Sequence, residues 1–243
     1  MTVWRSYALE AKYECVRALR APAFAVPIFL LPVAFYLFFA VLLSMPNRTP
    51  DIDRFLFAGF SVMGVMGPGL FAFGVFVAVE REQGLMKLKR ALPAPPSAYI
   101  LARMLMTALA ATVVIVTITA AALLTDKVSL TVGQFGAFAV ILTAGGVPFS
   151  AIGLLIGSSV GGRAAPAFVN LLYLPMIYLS GVLIPLPKSF DALTRLSPAY
   201  HLDRLALGAV GAQSDRPLVH VMVLLGVTVV SGALAIRRLS RSE

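Results

Sequence analysis

The sequence predicts an all-α membrane protein with six transmembrane helices, and three observations lead to that prediction. Hydrophobic residues make up 59% of the 243 residues, whereas charged residues make up only 13%. The mean hydropathy of +0.90 is too high for a chain that has to cover a soluble surface. The apolar residues also fall into six runs, each about long enough to cross a ~30 Å hydrocarbon core as a helix. We therefore expect a single transmembrane domain over residues 1–243.

An amphipathic helix over residues 2–20 is expected before the first span. Most basic residues of this segment fall away from the apolar residues that recur at helical spacing, which are Trp4, Ala8, Ala11, Cys15 and Leu19. This pattern is typical of a helix that lies at a membrane surface. A plain positively charged flank ahead of the first span is the alternative.

The six predicted spans are runs of predominantly apolar residues separated by short polar connections. They cover residues 24–44, 55–79, 100–124, 135–160, 165–184 and 218–236. We expect no Asp, Glu, Lys, Arg or His in the interiors of these spans. Gradient-driven carriers usually place an ionisable residue within the membrane, so the expectation disfavours a proton- or sodium-driven mechanism.

Basic residues predict the orientation of the chain. The net charge is +9, and thirteen of the 20 Lys and Arg lie on the side that carries both termini and the segment after the second span. By the positive-inside rule both termini are cytoplasmic, in a multi-pass protein of the bacterial inner membrane. The basic residues are scattered between the spans, which favours contact with membrane lipids over nucleic acid.

Glycine and proline residues predict where the helices pack closely or bend. Gly153, Gly157 and Gly161 form a stripe of small residues that allows another helix to approach. Prolines inside the first, fourth and fifth spans are expected to kink those helices. They are Pro27, Pro32, Pro148 and Pro175.

The connection between the fifth and sixth spans, residues 185–217, is the longest one. It is too interrupted to span the membrane, because Pro198 divides it, and too apolar to lie freely in water. We expect a re-entrant segment of two short helices that dip into the outer leaflet.

The segment after the second span contains the most informative motif. It begins Glu80-Arg81-Glu82-Gln83-Gly84, and the residues from Gly84 to Leu92 can form a short helix that Pro93 ends. A short charged helix between two spans suits a mechanical contact with a cytoplasmic partner. A basic loop that only anchors the topology is the alternative.

At these residues the chain resembles the permease subunits of the type-2 ATP-binding-cassette (ABC) exporter family. Glu80, Arg81, Glu82, Gly84 and Pro93 match the acidic-Arg-acidic-x-Gly element and the proline of that family. The residues from Ser180 to Pro185 and from Leu196 to Tyr200 resemble the family's fifth-span end and re-entrant segment. The chain departs from many relatives in having basic and apolar residues after Gly84, so the partner surface is expected to be more acidic than usual.

The resemblance implies a permease dimer, homodimeric or heterodimeric, in which each copy contacts a separate nucleotide-binding ATPase that holds ATP and Mg. The expected contacts are the amphipathic start, the coupling loop 80–96 and the loop from Ser158 to Pro166. The individual residues expected to couple to the ATPase are Glu80, Arg81, Glu82, Gly84, Leu88 and Arg163.

The chain itself is not expected to be an enzyme. It has no G-x-x-x-x-G-K-[ST] phosphate loop, so ATP hydrolysis is expected on another polypeptide. His201 and His220 stand without a cysteine partner, and packing is a better interpretation than a zinc site. We therefore expect no bound cofactor or metal.

Polar residues inside the spans are the candidates for a transport path. Asn170, Tyr173 and Tyr178 in the fifth span are the candidates we single out, whereas most Ser and Thr in the spans are expected to bond to their own helices. Two other functions stay open from the residues alone. One is a gradient-driven carrier or channel without an ATPase, and the other is a structural or assembly factor of the membrane.

Overall fold

The computed structural model describes residues 3–43, 49–86, 88, 96–181, 187–212 and 216–241, and the regular secondary structure in these ranges is helical. The all-α prediction is confirmed for this part of the chain. Residues 87 and 89–95 of the predicted coupling helix lie outside the described residues. Residues 85, 86 and 88 are helical, and the coupling helix as a whole stays a prediction.

Ten α-helices are numbered here in chain order over the described ranges. They are α1 Val3–Leu19, α2 Pro22–Leu37, α3 Pro50–Phe71, α4 Val77–Glu82, α5 Pro96–Leu124, α6 Val132–Ser159, α7 Ala165–Leu179, α8 Asp191–Thr194, α9 Pro198–Ala209 and α10 Pro217–Arg241. A π-helical turn, Phe38–Leu42, extends α2, and a second, Ala72–Phe76, joins α3 to α4. A 3₁₀ turn, Lys188–Phe190, precedes α8.

Five helical segments are long and apolar enough to cross a membrane. They are Ala25–Leu42, Pro50–Glu82, Ala98–Leu124, Val132–Ser159 and Pro217–Ser240. The predicted span 165–184 corresponds to α7, which has 15 residues and is therefore roughly 22 Å long. Since residues 182–184 lie outside the described part, the sixth span stays a prediction.

The second span lies at the centre of the bundle. In the segment Pro50–Glu82, 78% of the most apolar window is buried, and the neighbouring helices α2, α5, α6 and α7 all pack against it. The close packing requires glycines on α6: a Cβ on Gly157 would lie 2.4 Å from the carbonyl oxygen of Phe73, and one on Gly153 would lie 2.8 Å from that of Gly69. The predicted small-residue stripe is thus confirmed at these two positions.

The N-terminal segment forms a helix, α1, as predicted, but the face that α1 buries differs from the predicted one. Leu19 was expected on the apolar face and is 65% exposed, whereas Glu14 is only 4% exposed and Ala18 is buried beside it. The face of α1 that packs against α5 is therefore partly ionic. Hydrophobic spacing misses such a face, because it assigns charged residues to water.

The two short helices predicted between the fifth and sixth spans are present as α8 and α9. Pro198 begins α9 rather than interrupting a helix, which suits proline because its missing N–H is not needed at a helix start. Helix α9 packs against α3, α6 and α10. Its position relative to a membrane stays a prediction.

The helices of the bundle begin and end at two opposite ends. At the Glu80 end, α4 and α6 end and α5 and α7 begin. At the Asp203 end, α3 begins, α7 ends and α9 packs across the bundle. Along α3 and α4, Phe55 and Glu80 are roughly 38 Å apart at 1.5 Å per residue.

Candidate functional site: a buried charge network at the Glu80 end

Three helices bring a group of charged side chains together at the Glu80 end. Glu14 and Arg17 lie three residues apart on α1 and therefore share a face. Tyr99 and Arg103 lie four residues apart on α5 and share a face for the same reason. Glu80, in the last turn of α4, stands between these two faces.

Arg103 is the centre of the network. Its Nη2 donates to both carboxylate oxygens of Glu14, at 2.9 and 3.1 Å, and to Oε1 of Glu80, at 2.8 Å. Arg17 donates to the same Oε1 of Glu80, and the hydroxyl of Tyr99 donates to Oε2 of Glu80 at 2.5 Å. Arg103 and Glu80 are both 0% exposed. The two acids and two arginines balance in charge, so the buried group as a whole is neutral.

Aromatic rings surround the two arginines. The guanidinium of Arg103 lies 4.5 Å from the ring centroid of Tyr99, and that of Arg17 lies 4.9 Å from the centroid of Phe76. Such contacts favour a cation that has lost much of its water. Removing one partner from a buried ion pair typically costs about 3–5 kcal/mol, because the remaining charge is left uncompensated.

The other two charged residues of the motif bind the end of α6 and the turn after it. Arg81 donates to the carbonyl oxygen of Val160 at 2.7 Å and also to that of Ser158. Glu82 accepts a hydrogen bond from the backbone N–H of Gly162. A guanidinium at the carboxyl end of a helix satisfies carbonyls that have no partner within the helix.

The remaining predicted coupling residues are less enclosed. Gly84 has a φ of +72°, and no described atom lies within 4 Å of a Cβ added there, so its backbone conformation is what favours glycine. Leu88 is 62% exposed, and Arg163 is also exposed. Among the predicted coupling residues Glu80 is buried and Arg81 is half-buried, whereas Leu88 and Arg163 are exposed. Glu82 is also exposed, although it is hydrogen-bonded to the turn after α6.

The three predicted path residues do not form one cluster. Asn170 is exposed on α7, and its side-chain amide donates to the carbonyl oxygen of Pro166 at 3.0 Å. Tyr178 is exposed further along the same helix. Tyr173 points inward instead, and its hydroxyl donates to the carbonyl oxygen of Met63 at 3.1 Å.

Sequence reasoning missed Glu14, Arg17, Tyr99 and Arg103 as site residues, and the expectation of uncharged span interiors is wrong. Arg103 lies inside the spanning segment Ala98–Leu124, and His220 lies inside Pro217–Ser240. Both are buried and hydrogen-bonded. The sign that could have revealed the network is an arginine within an apolar run, because such a charge requires a partner.

At the opposite end, the two histidines are brought together. Nδ1 of His201 lies 2.8 Å from Nδ1 of His220, and Nε2 of His201 lies 2.8 Å from the carbonyl oxygen of Arg195. Because a carbonyl only accepts, Nε2 of His201 carries a proton, and in a neutral pair His220 donates to His201. The predicted packing role fits this buried pair, and the described residues contain no group of three or more potential metal-binding His, Cys, Asp or Glu side chains.

Comparison with known proteins agrees with this architecture. The family described as "ABC-2 type transporter" matches residues 7–210, which include all of the residues of the charge network. The chain is also 26% identical over 193 residues to the protein named "Putative transport permease YvfS" of Bacillus subtilis (strain 168), and this match covers 77% of the chain and 78% of that protein. The chain belongs to the ABC-2 type transporter family of membrane transport permeases.

Proposed function

We propose that the chain is the permease subunit of an ATP-driven exporter, in which two permease copies form the path and a separate ATPase supplies the energy. The observation that carries the proposal is the set of contacts made by Glu80, Arg81 and Glu82. Their side chains connect the end of the central span to α1, to α5 and to the turn after α6. Movement at this point would therefore be transmitted to three elements at once.

In this proposal, the enclosed and exposed coupling residues have different roles. Glu80 is 0% exposed, so its carboxylate acts inside the permease rather than on the ATPase. Leu88 and Arg163 are exposed and are assigned to the contact with the ATPase. The ATPase would act on these exposed residues, and the charge network would keep α1, α4 and α5 moving together.

The outward face of α7 is the evidence in favour of a second permease copy. Asn170 and Tyr178 are exposed there, and polar groups that face lipid are unfavourable because hydrocarbon offers them no hydrogen bonds. Helix α2 and the π-helical turn that extends it also expose large apolar side chains, including Phe35 and Phe38. A dimer that joins these faces would place Asn170 and Tyr178 in an interface or beside the transport path.

A gradient-driven carrier is the second candidate, and buried Arg103 is the observation that favours it. Ionisable residues within spans often mark ion pathways. Arg103, however, is bonded to two carboxylates in a neutral group, which is the arrangement of a structural connection. The exporter therefore remains the better supported function.

Co-expression with candidate ABC ATPases from the same organism tests the proposal. We expect the ATPase to co-purify with the permease and its ATP hydrolysis rate to change on assembly in proteoliposomes. Glu80→Gln should keep the complex together but remove the effect of the permease on hydrolysis. Asp126→Asn, in an exposed turn at the other end, is the matched control. Failure of any ATPase to bind, together with transport by the permease alone under an ion gradient, would favour the carrier.

A further inference from the structure

A polar cavity lies at the Asp203 end of the bundle, away from the charge network. Its volume is about 180 Å³, which suits a small polar group rather than a whole lipid. It lies where α7 ends and near the start of α3. The residues that line it are Phe55, Ser180, Gly181, Asp191, Thr194, Arg195, Tyr200, Asp203 and Arg204.

The inner part of the cavity presents hydrogen-bond acceptors. Asp203 is 2% exposed, and its Oδ1 has no hydrogen-bond partner among the described residues. The hydroxyls of Ser180 and Thr194 donate to the carbonyl oxygens of Ile177, at 2.8 Å, and Phe190, at 3.0 Å. Their protons are thus engaged while their oxygen lone pairs can still accept. A ligand group at this position therefore has to donate hydrogen bonds.

Arg204 adds a positively charged hydrogen-bond donor to a lining that otherwise presents acceptors. Its Nε is buried and likewise has no acceptor within the described ranges, while its guanidinium lies 5.1 Å from the ring centroid of Tyr200. Asp191 and Arg195, which are both exposed, add one charge of each sign to the lining. The lining has two acids and two arginines, so it matches a ligand that carries one positive and one negative group.

We propose that this cavity binds a phosphoethanolamine group, with its ammonium at the Asp203 carboxyl group and a phosphate oxygen at the Arg204 guanidinium. An aminophospholipid of the outer leaflet is one source of this group, and a free phosphoethanolamine compound is the other. The ammonium supplies N–H donors for the acceptors, and the phosphate supplies the acceptor that Arg204 requires.

The alternatives fit less well. A metal ion at Asp203 would lie in a cavity that two arginines also line. An anion alone would leave Oδ1 of Asp203 without a donor. Burial raises the pKa of the Asp203 carboxyl to about 7 and Arg204 partly opposes that rise, so a nearby ammonium would favour the ionised carboxylate.

Lipid retention tests the proposal with the full chain. The protein is extracted at pH 8 from vesicles of phosphatidylethanolamine, phosphatidylcholine and phosphatidylglycerol in equal amounts, and native mass spectrometry measures the lipids that stay bound. We expect at least fivefold preferential retention of phosphatidylethanolamine, and loss of that preference in Asp203→Asn and in Arg204→Gln. Asp126→Asn is the matched control and should retain the preference.

A competition arm identifies the source of the group. Displacement of the lipid by soluble O-phosphoethanolamine would show that the group alone is sufficient, whereas retention only of the lipid would assign the site to the bilayer, and either result supports the proposal. Equal retention of the three lipids, or a preference that persists in both folded variants, would overturn it. Phosphatidylcholine retained as well as phosphatidylethanolamine would also overturn it, because its quaternary ammonium has no N–H to donate.

Discussion

The two ends of the bundle hold buried charges in different ways. At the Glu80 end, each buried carboxylate has an arginine partner, and the hydrogen bonds join three helices. At the Asp203 end, the Asp203 carboxylate has an unpartnered oxygen among the described residues and lines a cavity, while the neighbouring histidines pair with one another. The first end therefore joins three helices through ion pairs, whereas the second leaves a buried carboxyl oxygen without a partner beside a cavity.

Removing the central arginine is the largest predicted effect and tests the first half of the comparison. Arg103→Met leaves two buried carboxylates with one arginine, and we expect it to lower the free energy of unfolding by about 3–5 kcal/mol. Denaturant unfolding in detergent measures the change. Adding Glu80→Gln should recover part of the loss, whereas Arg238→Met, at an exposed position on α10, should have little effect. If Arg103→Met alone were as stable as the parent protein, the ion pairs of Arg103 would not stabilise the fold.

Neutralising Asp203 is predicted to raise the free energy of unfolding, whereas removing Arg103 lowers it. Burial raises the pKa of the Asp203 carboxyl to about 7, so the folded state favours the protonated form. The stability that this protonation contributes is present at low pH and is lost as the pH rises through 7. Asp203→Asn should therefore stabilise the protein more at pH 8 than at pH 5, by an upper limit of roughly 3 kcal/mol, because pH 5 lies about two pH units below the raised pKa. Thermal unfolding at the two pH values, without added lipid, measures the difference. An equal effect at both would show that the carboxyl does not titrate there.

Breaking the histidine pair is expected to lower the free energy of unfolding by an intermediate amount. His220→Leu removes the donor to Nδ1 of His201, and a buried acceptor without a partner costs about 1–3 kcal/mol. The unfolding free energy at pH 8 measures this loss, and Thr228→Val, on the same helix, is the control for a polar-to-apolar change. If His220→Leu were no more destabilising than Thr228→Val, the pair would not contribute to holding α9 on α10.

Deleting one hydroxyl from the network should give the smallest effect. Tyr99→Phe removes the hydrogen bond to Oε2 of Glu80 but keeps the ring beside Arg103. Hydrogen bonds to charged groups contribute about 1.5–3 kcal/mol, and the low end is expected here because the arginine contacts remain. The same denaturant assay compares it with Tyr13→Phe, an exposed tyrosine of α1. A loss as large as that of Arg103→Met would mean that Tyr99, rather than Arg103, organises the site.

Sequence patterns predicted most of the helices because length and hydrophobicity determine them locally. The spans and the paired short helices before α10 follow from apolar runs and from Pro198. The fifth predicted span, in contrast, is observed as a 15-residue helix within the described residues, since an apolar run does not determine where a helix ends.

The site was only half predictable for a different reason. The motif from Glu80 to Gly84 stands out in the sequence because charges follow directly on an apolar run. Its partners do not, because Glu14 and Arg103 are separated by 89 residues and meet only when α1 packs against α5. The burial of Glu80 is likewise a property of the packed helices.

Glu80→Gln and Leu88→Asp, compared in the permease co-expressed with the proposed ATPase partner, separate a buried connection from a partner contact. The quantities measured are the amount of ATPase that co-purifies and the unfolding temperature of the permease. We predict that Glu80→Gln lowers the unfolding temperature but keeps the ATPase bound, whereas Leu88→Asp releases the ATPase and leaves the unfolding temperature unchanged. Release of the ATPase by Glu80→Gln at an unchanged unfolding temperature would show that this carboxylate contacts the partner, and the account of a buried connection would be wrong.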